Sequence, residues 1–406
     1  MNAMPRPESV TPRLLAGVRR DRQPASFADH RLRHGVLDID TRSIIDVIER
    51  SGLRGRGGAG FPTAQKMRAV REVGGRAVVV ANGAEGEPIA AKDKTLLAYV
   101  PHLVLDGAVV AALAVRARDA FIAVPASLLA IVERAIAERD DARIRFQAVA
   151  VPDTFVAGEE TALVNFLNGG AALPTFTPPR PFERGVRGLP TLVQNVETLA
   201  HLALIARYGP SWFRSAGTDE QPGTTLVTVS GSVGRPGVAE IPVGYPLVQL
   251  LRDVGGARGD ASAFLIGGYF GTWVDADALD DVVLADAELA RYGASLGARA
   301  IVVLPREACG VRETARITRY LAGESAGQCG PCVHGLHAVA SDLEQLMLPH
   351  RSVDGRRLER RLELIAGRGA CRHPDGAIRL VASCLRVFAS DVERHLDGRR
   401  CAAKRQ

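Results

Sequence analysis

Apolar residues recur along this chain with two different periods, and the changes of period mark its elements. Ser43 to Arg50, reading Ser-Ile-Ile-Asp-Val-Ile-Glu-Arg, repeats at helical spacing and stops at Ser51-Gly52. A second helix follows Pro62, with Ala64, Met67, Ala69 and Val70 as its apolar side. Arg76 to Ala81, with Val78 to Val80 at its centre, is an apolar run that enters the polar, Gly-rich stretch Asn82-Gly-Ala-Glu-Gly-Glu-Pro88, so it predicts a buried strand with a loop at its C-terminal end. Helix Pro101 to Val115, strand Ala120 to Val124, helix Ser127 to Glu138 and strand Arg143 to Val151 follow. That alternation predicts a parallel sheet faced by helices. Ala157 to Leu163 opens a further helix with Glu159 and Glu160 in its first turn, where carboxylates complement the helix dipole. A Pro-rich connection, Phe176 to Phe182, precedes a predicted helix from Thr191 that carries Gln194-Asn195-Val196-Glu197-Thr198.

The pattern changes after Thr225. Leu226 to Ser230, a turn at Gly234 to Gly237, Val238 to Ile241 and a short helix at Pro246 to Asp253 predict a hairpin followed by a helix, and Phe264 to Gly271 and Ala300 to Leu304 add strands. From about Val311 the chain reads as helical to its end, while residues 1–36 are Pro- and Arg-rich without periodicity and read as a mobile arm. The predicted divisions are therefore 1–36, 37–222 (α/β), 223–298 (α+β) and 299–406 (all-α). With 406 residues, 47% hydrophobic and 24% charged, the chain can bury a separate core in each. An aromatic share of only 5% argues against base-stacking platforms and hence against nucleic acid. The net charge of +6 is spread along the chain, with Arg-rich stretches at Arg13 to Arg33 and Arg356 to Arg361 that suit a solvated surface or an acidic partner protein. The N-terminus has no apolar h-region, and the longest apolar run, Gly107 to Val115, is too short to span a bilayer. A cytoplasmic chain without membrane insertion is expected.

Candidate chemistry begins at Gly55-Arg-Gly57-Gly58-Ala-Gly60-Phe61-Pro-Thr-Ala-Gln-Lys66. Glycines permit positive φ and let backbone N–H groups converge on phosphate oxygens, and the helix that starts after Phe61 would point its N-terminus at the same anion. Lys66, one turn in, adds a positive charge. The letters Gly55-x-Gly57-x-x-Gly60 also fit the dinucleotide fingerprint, but that loop follows a strand, and here a helix precedes it. A Gly-rich turn can equally be plain structure. In the last region stands Glu324-Ser-Ala-Gly-Gln-Cys329-Gly-Pro-Cys332, with Cys371 far downstream. Two cysteines three apart before a helix present both thiolates to one point, as zinc and Fe–S sites require; a redox dithiol would need the strand-to-helix setting of a thioredoxin-like unit. Cys309, Cys384 and Cys401 have no such setting.

Taken together these segments resemble the flavin-bearing, NADH-oxidising subunit of respiratory complex I and its relatives in soluble NAD-linked hydrogenases and formate dehydrogenases. The resemblance runs from about Gly35 to Leu396: Arg54 to Lys66 is similar to the family's flavin loop, Asn82 to Asp93 to its Asn-x-x-Glu-x-Glu-Pro segment with the following Lys-Asp, and Gly158 to Leu163 to its Gly-Glu-Glu-Thr-Ala-Leu. Asn195 to Thr198 resembles its Asn-Val-Glu-Thr, and Glu324 to Cys332 its cluster segment, with Cys371 where the distal ligand stands. The resemblance implies a Rossmann-like domain holding FMN with NADH over it, a ubiquitin-like β-grasp module, and a helical bundle carrying a [4Fe–4S] cluster. It implies flavin or nucleotide contacts from Gly55, Gly57, Gly58, Gly60, Phe61, Lys66, Asn82, Glu85, Gly158, Glu159, Glu160 and Asn195, and cluster ligands Cys329, Cys332 and Cys371. A partner iron–sulfur or other electron-acceptor protein, and hence a hetero-oligomer, is expected.

This copy departs from the family at several contacts. Ala326 stands where the first of three clustered cysteines is expected, Ala84 replaces an Asp, Phe155 a Tyr, Ala157 a Cys and Gln194 an Asn, and the Pro-rich connection reads Thr177-Pro-Pro-Arg180. With three thiolates, a [4Fe–4S] cluster needs a non-cysteine fourth ligand, for which His334, His337, His373 and Asp375 are near in sequence; a [3Fe–4S] cluster or a Cys₃His zinc site are the alternatives. A degenerate paralogue that serves as a binding or assembly module is the alternative to a working flavoprotein.

Overall fold

The computed structural model describes residues 10–141, 143–348 and 355–399. They fall into two compact units, 10–227 with 238–245, and 228–237 with 246–348 and 355–399. The first unit opens with helices α1 (Phe27–His34), α2 (Ile44–Ser51) and α3 (Thr63–Val73), then strand β1 (Ala77–Asn82), α4 (Lys92–Tyr99) and α5 (Pro101–Val115). Strand β2 (Ala117–Pro125), α6 (Leu129–Ala137), β3 (Arg145–Val151), α7 (Glu160–Leu167), β4 (Thr191–Asn195) and α8 (Val196–Arg214) complete the α/β alternation. The sheet order is β3-β2-β1-β4, every pair parallel. Val78, Val80, Phe121, Ala123, Val151 and Val193 from its strands and Leu163 and Val164 from α7 form one core.

Two expectations change here. Thr191 to Asn195 is a strand, not the start of a helix. The run Thr-Leu-Val before Gln194 suits a buried strand, and the helix begins only at Val196, where the Asn195 side chain caps it. Residues 10–36, read as part of an arm, are held in place; residues 1–9 lie outside the described residues. The buried Glu240 carboxylate accepts the backbone N–H groups of Arg13, Leu14 and Leu15 and the Thr224 hydroxyl. In α1, Ser26 and Asp29 form a capping box, and the buried His30 Nε2 lies 2.7 Å from Asp106 Oδ2. A sparse but well-anchored segment carries no periodicity for the sequence to display.

Helix α5 is apolar nearly all round and buried along almost its whole length, as such a helix must be. It lies against α8 so closely that a Cβ on Gly107 would stand 1.8 Å from Leu199 O. No single helix among the described residues is long and apolar enough to cross a membrane.

Chain order continues with strands β5 (Thr224–Gly231), β6 (Gly237–Pro242) and β7 (Tyr245–Pro246), helix α9 (Leu247–Asp253), β8 (Ala261–Ile266), β9 (Thr272–Asp275), β10 (Val283–Leu284), α10 (Asp286–Leu289) and β11 (Ala300–Pro305). In the second unit β5 pairs in parallel with β11 from Thr228 onward, β11 antiparallel with β8, and β8 antiparallel with β9. The strand expected over Phe264 to Gly271 instead ends at Ile266, where Gly267 and Gly268 take positive φ, and β9 begins beyond the expected range at Thr272. Helices α11 (Gly310–Gly323), α12 (His337–Leu346), α13 (Gly355–Ile365), α14 (His373–Val387) and α15 (Ala389–Leu396) follow, with a wide π-type turn, Pro331–Leu336, leading into α12.

Candidate functional site

In the first unit the chain runs β1 to β2 to β3 on one side, then returns to place β4 on the other side of β1. Strand order reverses between β1 and β4, and open α/β sheets take their ligands in the crevice outside the carboxyl ends of two such strands. Asn82 and Asn195 end the two strands and are register partners. The sequence therefore singled out the two asparagines that flank the switch point, although it assigned one of them to a helix.

Three segments converge on this pair. The glycine loop joins α2 to α3: Gly55 N donates to Phe61 O at 2.9 Å, and Gly58 and Gly60 take φ of +109° and +61°, which residues with a Cβ rarely adopt. The loop is seated on α8, because Arg56 N donates to Thr198 Oγ1 at 2.8 Å and a Cβ on Gly57 would come within 3.2 Å of the Asn195 Cβ. After β1, the Asn82 side chain donates to Gly158 O at 2.8 Å and accepts from Ala84 N. Gly158 and Gly86 allow the backbones to touch, since a Cβ on Gly158 would stand 2.7 Å from Ala84 O and one on Gly86 equally close to the carbonyl oxygens of Thr154 and Phe155. Lys66 pairs with Glu160 at 3.0 Å, which joins the glycine-loop helix to the start of α7.

Not every expected residue is free to face a ligand. One oxygen of Glu159 caps α7, accepting from Thr161 N, Ala162 N and the Thr161 hydroxyl. Glu85 is buried, and its two oxygens accept from Asp93 N and Lys94 N in the first turn of α4. Phe61 stands 53% exposed at the mouth of the loop.

Beneath the crevice lies a charge network that local sequence patterns do not reveal. Lys92 Nζ lies 2.7 Å from Asp93 Oδ1 and 3.0 Å from Glu197 Oε2. Asn195 Nδ2 donates to Asp93 Oδ2 at 2.7 Å, while Asn195 Oδ1 accepts from Glu197 N. Glu197 Oε1 also accepts from the Thr225 hydroxyl and Leu226 N. Lys92, Asp93 and Glu197 are all buried, and their assembly depends on contacts about a hundred residues apart in sequence. Burial, then the neighbouring Asp93 charge, push the Glu85 carboxyl up to about 7; burial likewise raises Asp93.

Two buried polar atoms at this site, Thr63 Oγ1 at the start of α3 and Gln194 Nε2 next to Asn195, have no hydrogen-bond partner among the described residues. Orphaned donors beside a glycine cradle suit an acceptor-rich ligand such as a flavin nucleotide. The residues present therefore fit FMN.

In the second unit the three expected cysteines come together. The Cys329 sulfur accepts from the backbone N–H groups of Ala370 and Cys332; burial raises this thiol, but those bonds outweigh it and lower it. Cys332, on the π-type turn, is 1% exposed; burial and the Cys329 charge push it up to about 12, and Cys371 is close enough to act on it as well. Among the described residues no three His, Cys, Asp or Glu side chains gather as a single metal ion requires, which is the arrangement a Cys₃His zinc site needs. A cubane puts its ligands on different irons. The three converging thiols fit that set, one ligand short. Cys309 accepts from Arg312 N and lies 3.5 Å from His395 Nε2, and Cys384 is fully buried, so both are structural; Cys401 lies outside the described residues.

A switch-point crevice with a glycine cradle, followed in the chain by a helical region with converging cysteines, defines an FMN-type flavoprotein with an iron–sulfur domain. Similarity to known proteins gives the family. Residues 48–204 match the Nuo51 FMN-binding domain, residues 226–268 the SLBB domain, and residues 312–395 the NADH-ubiquinone oxidoreductase-F iron-sulfur binding region. The F subunit of NADH-quinone oxidoreductase from Mycobacterium tuberculosis (strain H37Rv) is 33% identical over 97% of this chain and 92% of its own length. The mitochondrial NADH dehydrogenase [ubiquinone] flavoprotein 1 of Dictyostelium discoideum is 30% identical over 88% and 80%. Among solved structures, NAD+-reducing [NiFe]-hydrogenase in the H2-reduced state aligns with a TM-score of 0.85 and 30% identity, over 98% of this chain and 68% of that one. The chain belongs to the family of NADH-quinone oxidoreductase F subunits and is an NADH-oxidising flavoprotein component with FMN and iron–sulfur regions.

Proposed function

We propose that FMN lies in the crevice between β1 and β4, with its phosphate at the glycine loop, and that NADH approaches over it from the side of Glu159 and Glu160. The observation that carries this is the pairing of Asn82 with Asn195 at the switch point, with Gly57 folded against Asn195. The N–H groups of Gly57 and Gly58 and the start of α3 hold the phosphate, and Lys66 supplies the cation. Asn82, Asn195 and the unpartnered Gln194 amide face the ribityl chain and ring. Lys92, Asp93 and Glu197 act through Asn195 by fixing its orientation. FMN held there would supply two-electron acceptance from NADH, and Cys329, Cys332 and Cys371 would hold a cluster that supplies one-electron transfer onward.

The carboxylates of Glu159 and Glu160 suit ribose hydroxyls and oppose a 2′-phosphate, so NADH is preferred to NADPH, a preference that pairing of Arg180 with that phosphate would offset. The relatives are components of multi-subunit enzymes. The acceptor is accordingly an iron–sulfur partner protein in a hetero-oligomer, and we read 37–222, 223–298 and 299–406 as the flavin, β-grasp and cluster domains. The test is to purify the chain anaerobically, chromatograph the released small molecule, and follow bleaching of the flavin by each nucleotide in stopped flow. Faster bleaching by NADH is expected. A chain that carries no flavin and takes up none overturns the reading, and equal or faster bleaching by NADPH overturns the nucleotide assignment.

A further inference from the structure

Far from the glycine loop in role, the anchored segment ahead of α2 presents an unmatched charge. Residues 19–36 carry five arginines against two aspartates. One arginine takes both acids, since Arg19 pairs with Asp21 at 2.8 Å and with Asp29 at 2.7 Å. Arg20, Arg22 and Arg33 are exposed, and their side chains make no hydrogen bond or ion pair among the described residues. The pair of Arg31 with Asp140 is loose, at 3.9 Å. Arg19, Arg20 and Arg33 also line a cavity of about 460 Å³, together with apolar Pro12, Ala16 and Val18. Beside Arg33 in the last turn of α1, Leu32 is 90% exposed, and Val36 just beyond the helix is 65% exposed. Single exposed apolar residues need no explanation, but two so close together beside a cavity mark a contact surface. That surface is also preformed: Glu240 holds the backbone of residues 13–15, and the capping box and the His30–Asp106 contact hold α1. Little ordering entropy is then lost when a partner binds.

Charge selects the occupant. A second copy of this chain, related by a two-fold axis, would bring the same arginines together. The chain's own residues 1–9 hold one arginine and one glutamate, so they do not neutralise this face. We propose that the face formed by Arg20, Arg22, Arg33, Leu32, Val36 and the neighbouring cavity docks an acidic segment, with apolar side chains among its carboxylates, of a partner subunit. The proposal rests on the hetero-oligomer reading given above. The guanidinium groups pair with the carboxylates, which sets register and partner choice, while Leu32, Val36 and the cavity take the apolar side chains.

The experiment isolates the complex at low ionic strength from the cells that make this chain, with Leu32 replaced by the photoreactive p-benzoylphenylalanine, and maps the cross-link by mass spectrometry. A cross-link to a carboxylate-rich segment of a subunit present in fixed ratio to this chain is expected. The affinity of that subunit for the wild-type chain should fall as salt is raised. Arg20→Glu with Arg33→Glu should weaken it at least ~tenfold while the melting temperature of the isolated chain stays put. Replacing the cross-linked carboxylates of the partner by arginine should restore binding to this double variant, a response that a merely damaged surface would not give. Should the double variant melt early, Leu32→Asp decides: loss of the subunit from a chain of normal melting temperature supports the docking face, and retention overturns it. A cross-link to a second copy, to lipid or to nucleic acid, no cross-link to a subunit in fixed ratio, or undiminished affinity in the double variant also overturns it. A chain that leaves its cells with no subunit in fixed ratio overturns the hetero-oligomer reading instead.

Discussion

Lys66 shows how one side chain can matter to a ligand and hardly at all to the fold. Its 3.0 Å pair with Glu160 is partly exposed on both sides, and such pairs contribute ~0–1 kcal/mol. A charge-assisted bond to a phosphate in a sheltered cradle is worth ~1.5–3 kcal/mol, so Lys66→Ala should raise the FMN dissociation constant roughly ten- to a hundredfold while the melting temperature moves little. Titration of flavin fluorescence measures this, and unchanged affinity would remove Lys66 from the site. Glu85 is the opposite case, a carboxyl held for structure in a place that disfavours its charge. Its folded value of about 7 lies above its ordinary 4.5, so the stability it contributes is complete below 4.5 and is lost as pH rises through 7. Glu85→Gln cannot ionise, though it gives up an acceptor to Asp93 N or Lys94 N. The stability advantage of the wild type over this variant, read from thermal melts of flavin-free protein, should therefore shrink as pH rises from 4.5 through 7. A constant advantage would mean that Glu85 ionises normally. The sequence displayed Glu85 as a letter in a motif, but its role as an α4 cap with a raised carboxyl depends on burial, which no local pattern records.

Among elements, the contact of α5 with α8 sets the geometry of the crevice, since α8 begins at the Asn195 cap and α5 lies against it. Gly107 is where the two backbones meet, and a methyl group there would stand 1.8 Å from Leu199 O. Backbone cannot rotate aside as a side chain can, so Gly107→Ala should destabilise by ~3 kcal/mol or more and loosen flavin with it. Urea unfolding would show this, and a variant within about 0.5 kcal/mol of wild type would refute the close approach. The helices themselves were legible in sequence: α2 stops at Gly52 in left-handed conformation, and α5 follows Pro101 as a continuous apolar run. Strand β4 was not. Its residues Leu192 and Gln194 also suit a helix, and the Val-Glu-Thr that follows Asn195 is truly helical, so the boundary could be placed only by the pairing with β1. The anchoring of residues 13–15 was equally hidden, because it rests on one carboxylate, Glu240, more than two hundred residues away.

At the scale of the whole molecule the order of patterns read from the sequence, α/β alternation, then hairpin and helix, then helices only, is the order of elements along the chain. Two compact units carry the two candidate sites, with the crevice residues up to Asn195 in one and all three cysteines in the other. Sites in separate cores should fail separately. Cys371 stands just before α14, half-buried, and its loop also sends Ala370 N to the Cys329 sulfur, so in the proposed site it would support a cluster both as a ligand and through its neighbour's backbone. Cys371→Ala should abolish bound iron and sulfide. The glycine loop, α3, Asn82 and Asn195 belong to the first unit, so flavin content and the rate of flavin bleaching by NADH should stay within about twofold of wild type, less than ~0.5 kcal/mol. Transfer onward to a one-electron protein acceptor should fall far more, because the exit is gone while the entry remains. The comparison of three numbers from one preparation, iron content, bleaching rate and acceptor reduction, makes this a test of the arrangement and not of stability alone. Loss of flavin together with iron would show that the units fold as one. Undiminished reduction of the protein acceptor without iron would show that electrons leave from the flavin directly, and that the cysteine domain serves assembly instead.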